Sequence, residues 1–122
     1  MPTEPYFDLE GARRALKWLK PKIERLRELG EKGRAAMERY DLDAADSYSR
    51  EIRGILEGIR ERGIVVRDNE INLVDFPAVI NNMPAYFCWT YGEDDIEYWH
   101  YLEDGFAGRT PITGNEDVLS YL

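Results

Sequence analysis

Apolar side chains in the first third of the chain recur at alternating steps of three and four, the spacing of one helix face. They begin after Asp8, whose carboxylate is suited to cap a helix N-terminus. The positions are Leu9, Ala12, Leu16, Leu19, Ile23 and Leu26. The pattern predicts a helix over residues 9–40, bent near Pro21 because proline removes a backbone donor. So narrow a stripe is typical of a coiled-coil partner.

The same spacing returns after Asp43, which we expect to cap a second helix. Its apolar positions are Ala45, Tyr48, Ile52, Ile55 and Ile59. Gly63 follows as a glycine does beyond a helix C-terminus. The two patterns predict an antiparallel helical hairpin over residues 8–62. The stripes are free to face each other, a sheet or a second copy, and we expect a homo-oligomer formed through them.

After Gly63 the apolar period changes from that of a helix to that of a strand. Strands are predicted over residues 64–66, 71–76, 85–91 and 96–102, with turns at 68–70, 81–82 and 92–95. Pro77 is expected to end the second strand. The fold prediction is therefore α+β in a single domain over residues 1–122. The helical hairpin is expected to pack on a three- to four-stranded antiparallel meander over residues 64–102. A loop-rich tail over residues 103–122 follows.

The last predicted hairpin holds seven of the fifteen aromatic residues, together with the only cysteine, Cys88, and the only histidine, His100. A four-residue loop at 92–95 would set Cys88 opposite Trp99 and His100 opposite Phe87. Cys88 and His100 would then lie on opposite faces of the sheet, whereas a one-residue slip would bring them across from each other. We favour the first register.

Charge is divided unevenly along the chain. The net charge is −8. Residues 1–63 sum to +1 and residues 64–122 to −9, and the only cations of the second part are Arg67 and Arg109. So acidic a half repels phosphate backbones, which argues against nucleic-acid binding. No apolar run has the length of a membrane span, and no signal peptide is expected. With a single cysteine, we expect a reducing, cytoplasmic location.

Five short motifs in order resemble a known family. They are LVDFP (73–77), CW (88–89), GE (92–93), I-x-x-WH (96–100) and GFAGR (105–109). The series is similar to an uncharacterised prokaryotic family, domain of unknown function two-two-zero-three, over roughly residues 7–112. The resemblance implies a helical hairpin followed by a β segment. It also implies that Asp75, Glu93, His100 and Arg109 occupy signature polar positions, but it carries no established activity.

These four residues form the candidate polar site. Asp75 lies within an apolar strand, where a carboxylate needs a partner if it is buried, and Arg109 is the partner we expect. A divalent metal would draw on His100 and Asp75, with Glu103 as a further candidate ligand, although the spacing matches no known metal motif. A cysteine–histidine nucleophile pair would need contact between Cys88 and His100, which the favoured register denies.

The sequence thus favours a non-enzymatic cytoplasmic module that self-associates through its helical stripes. The alternative is a small acidic pocket that binds a divalent metal or a small polar ligand, as an enzyme of unknown reaction or otherwise. No catalytic residue can be assigned from the sequence.

Overall fold

The computed structural model describes residues 6–67 and 72–120. Two helices, α1 (Leu9–Glu38) and α2 (Leu42–Glu61), form an antiparallel hairpin. A five-stranded antiparallel sheet follows in the order β1-β2-β3-β4-β5. Its strands are β1 (Val65–Val66), β2 (Leu73–Ile80), β3 (Met83–Thr90), β4 (Tyr98–Tyr101) and β5 (Thr110–Pro111). The α+β prediction is confirmed. The sheet gains a fifth strand because the predicted tail contributes the short β5.

Helix α1 begins where its cap was predicted. The Asp8 carboxylate accepts a hydrogen bond from the Gly11 amide at 2.7 Å, and the helix continues through Pro21. Its apolar stripe is buried in the chain's own core. The buried members are Ala12, Leu16, Leu19, Ile23 and Leu26.

Helix α2 is capped by Asp41, not by Asp43 as predicted. The Asp41 carboxylate accepts from the Ala44 amide at 3.1 Å, so the helix begins two residues earlier than a cap at Asp43 would place it. Asp43 instead lies in the first turn, where a negative charge favours the helix dipole. Gly63 has φ +81°, the left-handed conformation that ends a helix.

One face of the sheet, the inner face, packs on the helices. Alternate strand residues supply it, and they join the α1 stripe and Ile59 of α2 in one core. The inner-face residues are Val74, Phe76, Ala78, Ile80, Ala85, Phe87, Trp89 and Trp99. The residues between them point to the opposite side, the outer face, because side chains alternate along a strand.

Strand β2 does not end at Pro77 as predicted. It runs to Ile80, with Pro77 opposite Tyr86 of β3. The Pro77 carbonyl accepts from the Phe7 amide at 2.7 Å, so the backbone of Pro77 points away from β3. The missing N–H of proline therefore costs no ladder bond with that strand. The turn at Asn81 and Asn82 is confirmed, with φ of 55° and 64°.

The predicted register of β3 with β4 is wrong by one residue. Cys88 lies opposite Tyr98, and His100 lies opposite Tyr86. The connection spans residues 91–97 rather than 92–95, because Ile96 turns into the core. Arg13 of α1 donates to the Ile96 carbonyl at 2.8 Å and holds that turn in place.

The tail after β4 contains a short 3₁₀ helix (Phe106–Gly108) and β5. Its end returns to β2, where the Leu119 amide donates to the Val79 carbonyl at 3.0 Å. The predicted turn at 68–70 and the first residue of the predicted strand 71–76 lie outside the described residues. Within the described part of the chain, no helix combines the length and apolar character that crossing a bilayer requires.

Candidate functional site

Three ionisable side chains lie together on the outer face of the sheet. Asp75 of β2 pairs in register with Cys88 of β3. His100 of β4 lies opposite Tyr86, which is two residues from Cys88 along β3 and therefore on the same face. Relative exposures are 2% for Asp75, 0% for Cys88 and 3% for His100. A face turned away from the helices thus encloses a buried polar centre.

Both ring nitrogens of His100 face oxygen acceptors. Nδ1 lies 2.9 Å from the Tyr101 carbonyl oxygen, and Nε2 lies 3.2 Å from Asp75 Oδ1. A carbonyl oxygen only accepts, so Nδ1 carries a hydrogen. Asp75 is thus the side-chain partner of Nε2, and the two residues form one buried polar pair.

Arg67, just beyond β1, is the arginine that pairs with Asp75. Its Nε donates to Asp75 Oδ2 at 2.9 Å, and its guanidinium lies 4.8 Å from the centre of the Tyr86 ring. Burial lowers the pKa of Arg67, but hydrogen bonding and attraction to Asp75 outweigh burial and raise it. The expected Asp75–Arg109 pair is therefore wrong. β1 pairs directly with β2 and brings Arg67 to Asp75.

Arg109 pairs instead with Glu93, from the connection between β3 and β4. Its Nη2 donates to Glu93 Oε1 at 2.5 Å, and its guanidinium lies 4.1 Å from the centre of the Tyr98 ring. Burial lowers the pKa of Arg109, but hydrogen bonds with Glu93 and with Cys88 outweigh burial and raise it. Of the four candidate residues, Asp75 contacts His100 and Glu93 contacts Arg109, and Cys88 stands between the two pairs.

Burial raises the pKa of the Cys88 thiol to about 11, against the lowering effect of the Arg109 hydrogen bond. At neutral pH the sulfur therefore keeps its proton. Since both His100 nitrogens already have oxygen partners, no imidazole nitrogen is available as a base for the thiol. The arrangement does not match a cysteine–histidine nucleophile pair.

The three central residues instead resemble a set of metal donors. One donor atom each from Asp75, Cys88 and His100 lies within 4.8 Å of the other two. Among residues 6–67 and 72–120, no other three His, Cys, Asp or Glu side chains meet so closely. Glu103, a candidate ligand from the sequence, is exposed and is not part of this group.

Sequence reasoning missed Cys88 and Arg67 as members of the site. Cys88 was excluded because the predicted register put it on the opposite face of the sheet from His100. The signal for Arg67 was its alternation with Val65, since residues 65 and 67 share a face of one strand and Val65 pairs with Asp75.

A family model described as an uncharacterized conserved protein (DUF2203) matches residues 5–112, which include the hairpin, the sheet and all the residues of the site. Neither the curated proteins nor the solved structures yield a significant match.

Proposed function

The chain belongs to the DUF2203 family of uncharacterized conserved proteins, and we propose that it binds a divalent transition-metal ion through Asp75, Cys88 and His100. One observation carries the proposal: a carboxylate, a thiol and an imidazole converge within 4.8 Å. All three side chains are almost completely buried.

The mixture of donor types indicates the kind of metal. A thiolate and an imidazole favour zinc, cobalt or copper over magnesium and calcium, which prefer oxygen donors. Zinc bonds of about 2.0–2.3 Å place neighbouring ligand atoms roughly 3–4 Å apart. The three donors would therefore need to approach each other by about 2 Å at most.

Contacts around the donors fit metal coordination. The His100 Nδ1–H donates to the Tyr101 carbonyl, which leaves Nε2 as the nitrogen that would bind the ion. Arg67 holds Asp75 by Oδ2, so Oδ1 remains on the side of His100. Partners of this kind orient metal ligands in many proteins.

A divalent ion at this centre would replace the proton of the Cys88 thiol, because the thiolate and not the thiol is the metal ligand.

The test is metal uptake by protein stripped with a chelator and then dialysed against Zn²⁺ or Co²⁺. We expect one ion per chain by elemental analysis, and thiolate-to-cobalt absorption in the Co²⁺ form. Cys88→Ser and His100→Ala should each remove most of the binding, whereas Glu103→Gln, the matched control, should bind as the wild type does. Circular dichroism checks that each variant is folded.

A wild-type chain that takes up no ion would contradict the proposal. So would a folded Cys88→Ser variant that binds Zn²⁺ as tightly as the wild type, since an ion elsewhere on the surface would explain that result.

Self-association is a second candidate function. Three large apolar side chains are exposed where α1 passes into α2: Met37 at 55%, Tyr40 at 87% and Leu42 at 63%. The α1 stripe is already buried within the chain, so contacts between copies would involve this turn and the half-buried side of α2. We propose a homo-oligomer formed through the turn of the hairpin.

Light scattering at tens of micromolar protein tests this second proposal. An oligomer that Tyr40→Ser together with Leu42→Ser converts to a monomer would support it. Met83→Ser is the matched control, because Met83 is also exposed but lies on β3, outside the helical hairpin. A wild-type monomer would rule the proposal out.

A further inference from the structure

The first half of α1 is strongly basic. Residues 11–23 contain five cations and no acidic residue, although the whole chain has a net charge of −8. Two of the five, Arg13 and Lys20, donate to backbone carbonyls of the connection between β3 and β4. Arg14, Trp18 and Lys22 follow each other at steps of four, so they share another side of the helix.

Trp18 lies between two cations on that side. The guanidinium of Arg62, the residue that ends α2, is 3.9 Å from the centre of the Trp18 ring, and the Lys22 ammonium is 4.7 Å from it. Among the residues that the structure describes, no carboxylate forms an ion pair with Arg62 or Lys22. The Trp18 ring therefore positions an exposed guanidinium whose charge no acidic side chain neutralises.

A cavity of about 420 Å³ lies beside this guanidinium, between the beginning of α1 and the end of α2. Its volume is in the range of pockets that hold small molecules. Two aromatic side chains and two arginines form most of its lining, and Asp8, Gly11 and Ala15 complete it. The four larger side chains are Tyr6, Phe7, Arg14 and Arg62.

The aromatic wall of this cavity is attached to the sheet. The Phe7 amide donates to the Pro77 carbonyl at 2.7 Å, and the Phe7 ring packs edge-on against Phe76 at 5.6 Å between ring centres. One side of the cavity is thus an aromatic surface that the core holds in position.

The charged side of the cavity is positive. Arg14 and Arg62 outnumber Asp8, so the lining has a formal charge of +1. The Asp8 carboxylate is already engaged, because its Oδ1 accepts from the Gly11 amide at 2.7 Å. Arg14 makes one long contact, 3.7 Å to the exposed Glu10, which is worth little in water.

We propose that this cavity binds a small aromatic anion, with its ring against Tyr6 and Phe7 and its carboxylate or phosphate on Arg62 and Arg14. A guanidinium presents a planar fork of donors that matches the oxygens of either group. Aromatic walls favour a flat ring through stacked or edge-on contacts. None of the lining residues belongs to the proposed metal site, so the two proposals stand or fall separately.

The test is calorimetric titration of the full chain with phenyl phosphate and, separately, with phenylacetate. Inorganic phosphate and acetate carry the charge without the ring, and phenylacetamide carries the ring without the charge. We expect saturable binding of one aromatic anion per chain, with each control compound bound at least about tenfold more weakly. The tighter of the two aromatic anions distinguishes a phosphate site from a carboxylate site.

Variants locate the ligand in the cavity. Arg62→Gln should weaken binding at least about tenfold, the loss typical of a charge-assisted hydrogen bond. Arg50→Gln, the matched control, removes an exposed arginine of α2 that pairs with Asp46 and should leave binding unchanged. Tyr6→Ala should weaken the binding of the aromatic anion but not that of inorganic phosphate.

Circular dichroism checks that each variant is folded. If Arg62→Gln fails to fold, Arg62→Lys takes its place, because it keeps the charge over Trp18 and loses only the planar fork. It should bind the aromatic anion more weakly than the wild type does.

Three results would overturn the proposal. The first is no saturable binding of either aromatic anion. The second is inorganic phosphate or acetate bound as tightly as its aromatic counterpart, which would show that the ring makes no contact. The third is equal weakening by Arg62→Gln and Arg50→Gln, which would show general attraction to a basic surface.

Discussion

His100 Nε2 lies 3.2 Å from Asp75 Oδ1, although a complete strand separates the strands that carry them. Neighbouring strands are about 4.8 Å apart, so β2 and β4 are roughly twice that distance from each other. Both side chains extend across β3 on the outer face, where Cys88 and Tyr86 lie opposite them in register. Three strands are thus connected by side chains as well as by their backbone ladder, and this connection is the centre of the proposed site.

Asp75→Asn should destabilise the metal-free protein by about 3 kcal/mol. Removing one partner of a buried ion pair costs about 3–5 kcal/mol. We expect the lower value because Arg67, the other partner, is partly exposed. The free energy of unfolding in urea measures the change. Asp46→Asn, which breaks the exposed pair with Arg50 on α2, should cost less than about 1 kcal/mol. Similar costs for the two variants would contradict the structural role given to Asp75.

Metal affinity should rise with pH. The Cys88 pKa of about 11 means that the thiol is protonated near neutrality, and a bound ion must displace that proton. The displacement should lower the apparent Kd about tenfold per pH unit. Arg67, Arg109 and Glu93 are the other charged side chains around this centre.

Competition titration with a chelating dye, between about pH 6 and pH 8, measures this dependence. Any residual binding by Cys88→Ser should depend less steeply on pH, because the thiol proton is no longer displaced. An affinity that does not change with pH would contradict the proposed ligands.

Asn82→Ala should cost about 1–2 kcal/mol of stability, the penalty for placing a residue with a Cβ in the left-handed region. Asn82 has φ 64° in the two-residue turn between β2 and β3. Asn82→Gly is the matched control, because glycine adopts that conformation without strain and should leave stability nearly unchanged. Thermal unfolding of the three proteins distinguishes them, and equal losses for alanine and glycine would contradict the turn assignment.

Glu116 should make stability depend on acid pH. Burial of its carboxyl raises the pKa, but hydrogen bonds from Thr113 and Gly114 outweigh burial and hold the pKa at about 2. Because the folded pKa lies below the ordinary value of 4.5, the carboxylate stabilises the fold above about pH 4.5, and this contribution is lost as the pH falls toward 2.

Wild type should therefore be more stable than Glu116→Gln at neutral pH, and the difference should shrink below about pH 4. Urea unfolding at several pH values measures it. Glu57→Gln, on the exposed side of α2, is the control and should show no comparable change. A difference that is constant with pH would show that Glu116 acts through packing alone.

The sequence by itself determined the elements that depend on neighbours in the chain. The apolar spacing fixed α1 and most of α2, Gly63 marked the change from helix to sheet, and Asn81 with Asn82 marked the turn. In each case the cause is local. Apolar spacing defines one face of a helix, and glycine or asparagine adopts a left-handed backbone conformation that other residues avoid. The same patterns indicated that Asp75 and His100 lie in strands with apolar neighbours.

Only the tertiary structure decided how the outer face is assembled. The register of β3 with β4 depends on Ile96, which turns into the core and is held by Arg13 of α1, a contact between residues 83 positions apart. A shift of one residue moves every side chain of a strand to the other face, so this distant contact decides that Cys88 joins Asp75 and His100. The choice of Arg67 over Arg109 as the partner of Asp75 has the same origin, because strand pairing, and not sequence order, sets which charges meet.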